Sequence, residues 1–306
     1  MNPFIEEAAI VHGASTFYMF RTVVLPQLLP ATLIGGLLAF LVSIDEYTVT
    51  KSSSKYISTS NNGGFFMSKI ALIGFPWDGG ASLGRPGSRY APKAIREDSR
   101  WLFNRIENNQ IYNVNKKKLI DLSNSELIDL GDIDIVAYSY EETFKNAESK
   151  VKQAIDDGYM PFVLGGDHSI SYSPIKALHD SCEGEIAIIQ FDAHLDLVDK
   201  GSVRSFNYPW YSKYLSENPI VQFTANEVHT MPITDIINQV IEVCKRVDKV
   251  YCTFDIDVLD PAFAPGSGAN ESGGLTPHQC FTMLDALYPY IDAFDIAEVN
   301  PLYDPQ

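Results

Sequence analysis

His168, Asp192, His194, Asp196, Asp255, Asp257 and Glu298 are the side chains best suited to acid–base or metal chemistry, because each stands at or just past the end of an apolar run. The runs are FVLGGDHS (Phe162 to Ser169), IAIIQFDAHLD (Ile186 to Asp196), VYCTFDID (Val250 to Asp257) and AFDIAEVNP (Ala293 to Pro301). Drawn into one crevice, the carboxylates would repel one another and shift each other's pKa unless a cation neutralised them. A divalent metal does that. The set exceeds the needs of one small site with open water positions, so two ions a few ångströms apart, bridged by shared carboxylates, fit it better than one. Hard oxygen donors with two imidazoles and no thiolate select Mn²⁺, or another divalent ion such as Ni²⁺, over structural zinc. Singly, the pieces have blander readings. A DxD after a strand is often a turn or a cap, and a lone histidine is more often a satisfied core residue than a ligand. Four run ends with complementary ligands resist that explanation.

The elements that must position these residues follow from the runs themselves. Each has a strand's length and is rich in β-branched or aromatic residues, which suits a strand buried on both faces. Asp192, His194 and Asp196 alternate, and Asp255 and Asp257 repeat the step, so in regular strands each set would share a face. In an open parallel sheet the carboxyl ends of the strands converge on one crevice. Amphipathic stretches near Tyr140 to Asp157, Thr234 to Val247 and Pro277 to Tyr288 lie between the runs and predict helices. The fold class is therefore α/β, a three-layer α-β-α sandwich with a mostly parallel sheet, in one domain spanning residues 67–306.

Five motifs stand in order along the chain: GGDHS (Gly165 to Ser169), DAHLD (Asp192 to Asp196), FDIDVLDPAFAPGSG (Phe254 to Gly268), GGLT (Gly273 to Thr276) and EVNP (Glu298 to Pro301). In these motifs the chain resembles the ureohydrolases, the arginase and agmatinase family. The opening GFPWDGGASLGRPGSRYAPKAIRE, Gly74 to Glu97, is similar to the agmatinase-like branch. It implies an arginase-like fold, a homo-oligomer and two Mn²⁺ ions per chain. Asp192 and Asp255 would bridge the ions, His168 and Asp196 would complete one shell, and His194 and Asp257 the other. Asp167 would orient the ligands from behind, and Glu298 would pair with a substrate guanidinium. The implied reaction is attack by a dimanganese-bridged hydroxide on a guanidino carbon, with Asp257 helping to hold the tetrahedral intermediate and urea and an amine released. Agmatine, giving putrescine, is the expected substrate. A plainer role for Glu298 is to cap a backbone turn before Pro301.

Composition agrees with a small cationic substrate. A formal charge of -16 and a pI near 4.7 disfavour nucleic acid and anionic membrane as partners. The four cysteines form no CxxC pair, which suits buried thiols in a reducing, cytoplasmic setting. Residues 1–50 read differently. Leu28 to Ile44 is uncharged and mostly apolar, at the lower edge of a membrane-spanning length. Glu7-Ala8-Ala9, Gly13, Val23, Leu25 and Pro26 resemble the EAA loop of polyamine-type transporter permeases. This fragment is a fused remnant of a neighbouring transport gene, an error of sequence assembly, or a tether making membrane contact through residues 28–44. The Ser/Asn/Gly-rich residues 51–66 read as a linker.

Three departures from the family pattern bear on turnover. SFNYP, Ser205 to Pro209, puts Phe206 where the family carries a histidine that serves substrate binding and proton transfer. General acid–base help is worth ~10²–10⁴-fold, so an alternative function is a catalytically impaired protein that binds metal or a guanidino ligand. Asn207, Tyr208 and His229 are possible substitutes. The stretch from Asp196 to Asp255 is short, and IVQFTANEVH, Ile220 to His229, lacks the usual glycine and arginine, as if a strand–helix step were lost from the sheet's edge. The chain also stops just past EVNP, where relatives continue into a final helix that covers the sheet.

Overall fold

The computed structural model describes residues 68–81, 84–114, 116–196, 209–218 and 220–304. The EAA-like segment, the apolar run at 28–44, the linker at 51–66 and Phe206 lie outside the described residues. Six parallel strands form the main sheet: β1 (Ser68–Gly74), β4 (Ser125–Asp132), β5 (Met160–Leu164), β6 (Ile186–Phe191), β7 (Lys249–Asp255) and β8 (Ala293–Ala297). Their spatial order is β4-β1-β5-β8-β7-β6. The four runs singled out in the sequence thus become four adjacent strands, β5, β8, β7 and β6, with their carboxyl ends side by side. A short antiparallel pair, β2 (Gln110–Asn113) and β3 (Lys118–Asp121), stands apart from the sheet.

Strand alternation divides the core into two layers. Ile70 and Leu72 of β1 pack in one cluster with Ile95 and Leu102 of α1 (Ala91–Phe103), Ile236 and Ile237 of α6 (Ile233–Cys244), and Met283 and Leu284 of α7 (Pro277–Leu287). Ala71 and Ile73 face the other way, onto Ala147, Val151 and Ala154 of α2 (Tyr140–Asp156) and Ala177 of α3 (Tyr172–His179). The result is the expected α-β-α arrangement. Two helix starts are specified locally: the Ser139 side chain accepts the Glu142 amide before α2, and Thr276 and Gln279 form a reciprocal capping box before α7. Among the described residues no helix is long and apolar enough to cross a membrane.

One strand departs from the expectation of burial on both faces. Strands β5, β7 and β8 are buried almost throughout, but β6 is only partly covered, with Ile188 51 % exposed. The reason is position. Strand β6 ends the sheet, and no further strand follows it among the described residues. After the short helix α4 (Pro209–Glu217), residues 220–224 run without regular structure into α5 (Ala225–Thr230), on the side where the sequence suggested a missing strand–helix step.

Candidate metal centre

The site is built where the backbone leaves the four strands. Beyond β5, Gly165 donates its N–H to the Ile296 carbonyl and Gly166 accepts the Glu298 N–H, both at 2.8 Å, so the turn lies flat against the end of β8. A Cβ on Gly166 would stand 1.6 Å from the Trp77 carbonyl oxygen, which leaves room only for glycine. Asp167 then caps a 3₁₀ turn, His168–Ser171. Its carboxylate accepts the Ser169 amide and hydroxyl and, at 2.7 Å, the Gly80 amide, tying the opening motif to the turn that aims His168 into the crevice.

Asp192, His194 and Asp196 lie beyond the end of β6 rather than on a shared strand face, because the backbone turns after Phe191 and reaches φ 45° at Asp196. Asp192 Oδ1 accepts the His194 amide at 2.6 Å, and Asp255 Oδ1 accepts the Asp257 amide at 2.9 Å. Both aspartates therefore shape a turn, as the bland reading had it. Each does so with Oδ1, while Oδ2 faces the crevice; that of Asp192 also accepts the Gln190 side-chain amide at 2.7 Å. His168 Nδ1 stands 3.0 Å from Asp192 Oδ2 and 3.1 Å from both Asp196 Oδ2 and Asp255 Oδ2. His194 Nδ1 is 3.1 Å from Asp257 Oδ2 and 3.6 Å from Asp192 Oδ1, while Asp257 Oδ1 accepts the Ala193 amide.

Six of the seven residues picked from the sequence fall into two overlapping groups, His168 with Asp192, Asp196 and Asp255, and Asp192 with His194 and Asp257. Donor atoms within a group lie within 4.8 Å of one another. Of the two residues expected to bridge, Asp192 faces both groups and Asp255 stands with the first.

The electrostatics are those of a cage short of positive charge. Burial works against a charged His168, yet Asp192, Asp196 and Asp255 raise its pKa well above the ordinary value. Burial opposes protonation of His194 too, and Asp192 with Asp257 raises it to about 10. Burial, together with the charges of Asp257 and Asp192, pushes the Asp255 carboxyl well above its usual range, whereas the two imidazoles overcome burial and hold Asp192 at about 2. Three carboxylate oxygens surround an imidazole nitrogen that makes no hydrogen bond to any of them. A cation fits that environment, and the oxygen and imidazole donors suit Mn²⁺ or a similar ion.

Glu298 closes the fourth strand end. Its backbone has φ 58°, it is 7 % exposed, and Oε1 accepts the His168 amide at 3.1 Å. Buried Asp78, which the sequence did not single out, accepts the Gly87 amide at 2.8 Å and pairs with Arg89, and Asn300 reaches the Arg85 carbonyl at 3.2 Å. These contacts fold GRPGSR back beside EVNP. His229 has a structural setting instead: its ring lies 3.2 Å from the Gly273 carbonyl and 3.3 Å from Gln279. Sequence reasoning also passed over Tyr251, Thr253 and Asp295, polar groups buried inside strands. The aspartate in AFDIA was the available signal.

The arginase family model matches residues 68–208 and 202–306 of this chain. The chain is 30 % identical over 289 residues to formimidoylglutamase of Halalkalibacterium halodurans, covering 78 % of this chain and 86 % of that one. It is 29 % identical over 256 residues to agmatinase of Cronobacter sakazakii, covering 76 % and 80 %. It superposes on the crystal structure of arginase from Bacillus subtilis with a TM-score of 0.63 at 24 % identity, over 78 % of this chain and 92 % of the other, a likeness of fold.

Proposed function

The chain belongs to the arginase family, and from that premise we propose that it is a ureohydrolase that splits a guanidino C–N bond at two bound divalent cations, with agmatine as substrate and urea and putrescine as products. The observation that carries the reading is the convergence of Asp192, Asp196 and Asp255 oxygens on His168 Nδ1. His168, Asp192, Asp196 and Asp255 would hold one ion and Asp192, His194 and Asp257 the other. When bound, Mn²⁺ supplies the acidity that makes water nucleophilic near neutral pH, with a pKa of roughly 7.

The chain's own groups do the rest. Glu298 would receive the guanidinium, since carboxylate and guanidinium match as a planar fork. A cation there also relieves the Glu298 carboxyl, which burial and the charges of Asp167 and Asp257 push up to about 7. Asp257, held by the Ala193 amide through Oδ1, keeps Oδ2 beside His194, where it can accept hydrogen bonds from the substrate's amino groups as the carbon becomes tetrahedral. The buried setting of Cys252 and Cys280 supports a reducing, cytoplasmic location. A homo-oligomer is part of the same reading.

The opening motif and the agmatinase relative favour agmatine, while the formimidoylglutamase relative makes formimidoylglutamate the rival substrate. Product release from agmatine, 4-guanidinobutyrate, arginine and formimidoylglutamate, each with added Mn²⁺, decides among them. Urea from agmatine well above the others is expected; formamide from formimidoylglutamate alone would move the assignment to that substrate. Phe206 favours a second reading, a catalytically impaired protein that binds metal or a guanidino ligand. In that case metal binds, product forms at a barely detectable rate, and Phe206→His raises turnover by ~10²–10⁴-fold.

A further inference from the structure

A file of buried polar side chains runs down the sheet beneath the cage. Thr253 of β7 and Asp295 of β8 are register partners, and Tyr251, Thr253 and Asp255 alternate along one face of β7. Thr253 is 3 % exposed, and Tyr251 and Asp295 are fully covered. Thr253 donates its hydroxyl to Asp295 Oδ1 at 2.6 Å, and Tyr251 donates to Asp295 Oδ2 at 2.5 Å. At the upper end His168 Nε2 lies 2.8 Å from Thr253 Oγ1, and Ser171 Oγ is 3.2 Å from the same atom. Asp295 touches no candidate ligand, and a buried carboxylate in an apolar sheet costs free energy even when hydrogen-bonded.

We propose that Asp295 is a positioning residue for the metal centre, acting through Thr253 to fix the tautomer of His168. A hydroxyl carries a single proton, and with that proton directed at Asp295 the Thr253 oxygen can meet His168 Nε2 only as an acceptor. Nε2 must then carry hydrogen, so the ring position that yields its proton to a cation is Nδ1, facing Asp192, Asp196 and Asp255. Tyr251 holds the far oxygen of Asp295, so the carboxylate cannot swing away. Replace that carboxylate with an amide and the hydroxyl is free to turn round, donate to Nε2 and leave the ring proton on Nδ1, where it competes with the cation. The inference rests on the metal reading of the site.

The test is Mn²⁺ titration of the full chain and its variants, read by calorimetry and electron paramagnetic resonance, beside thermal unfolding of the metal-free proteins. Asp295→Asn is expected to weaken the ion on the His168 side by about 10–100-fold and spare the other. At equal added metal the spectrum then changes from a spin-coupled pair to isolated Mn²⁺. Thr253→Val should do the same, while Thr253→Ser, which keeps the hydroxyl, should retain both ions. Parental affinity for both ions in Asp295→Asn and Thr253→Val overturns the inference. So does weakening of both ions in step with the unfolding temperature, which is what a purely structural role would give. If Asp295→Asn fails to fold, the contrast of Thr253→Val with Thr253→Ser decides the matter alone. Parent protein that takes up no manganese sinks the metal reading and this inference together, whereas a parent binding two ions isolates the failure to Asp295.

Discussion

Glu298 accepts the His168 amide, and its carboxyl titrates at about 7 in the folded chain against an ordinary value of 4.5. Between those values the native state keeps a proton that the unfolded chain has released, so metal-free stability falls as pH rises through the interval. Glu298→Gln carries no such proton. Urea denaturation of metal-free protein at about pH 5 and about pH 8 is expected to show the variant losing less stability than the parent. The same variant is expected to keep its metal and lose ~10²-fold or more in kcat/KM, because the planar charge pairing is gone; an unchanged rate would remove Glu298 from substrate binding. The imidazoles bear on metal uptake instead. His194 holds its proton up to about 10, and His168 is likewise raised. Ligation needs neutral rings, so manganese must expel about two protons near neutral pH, and apparent affinity must climb as pH rises. Calorimetry in buffers of different ionisation heat counts those protons, and a heat indifferent to the buffer would show the rings already neutral.

The turn after β5 is the element on which the site depends most tightly. Gly166 is flanked by backbone on two sides, the Trp77 carbonyl and the Glu298 amide, and neither can yield as a flexible side chain would. Gly166→Ala is therefore expected to cost about 1–3 kcal/mol or more and to lower manganese affinity, since it displaces His168 and Glu298 together. Thermal unfolding and metal titration check both parts. These strand ends were legible in the sequence because carboxylates and histidines stop apolar runs abruptly, and the helices at Tyr140–Asp156 and Pro277–Leu287 were legible from their amphipathic periodicity. What escaped depends on neighbours. Thr253 and Asp295 meet only through the register of β7 with β8, which neither strand records by itself. Likewise IAIIQF reads as a buried strand, and nothing in its composition says that it ends the sheet.

At the scale of the whole molecule, the chain that carries a site proposed for a cationic substrate has a formal charge of -16. Attraction of that kind is screened over about 8–10 Å at physiological salt, so kcat/KM for agmatine is expected to fall with ionic strength while kcat changes little. A flat salt profile would assign the charge to solubility alone. The sheet adds an asymmetry of its own. Strands β7 and β8 have partners on both sides, whereas β6 leans on β7 alone among the described residues, and it is β6 that leads into Asp192, His194 and Asp196. Amide hydrogens of residues 186–196 should thus trade for deuterium sooner than those of residues 249–257 in protein stripped of metal. Adding manganese should slow the former far more than the latter, as a rivet steadies the loose margin of a plate.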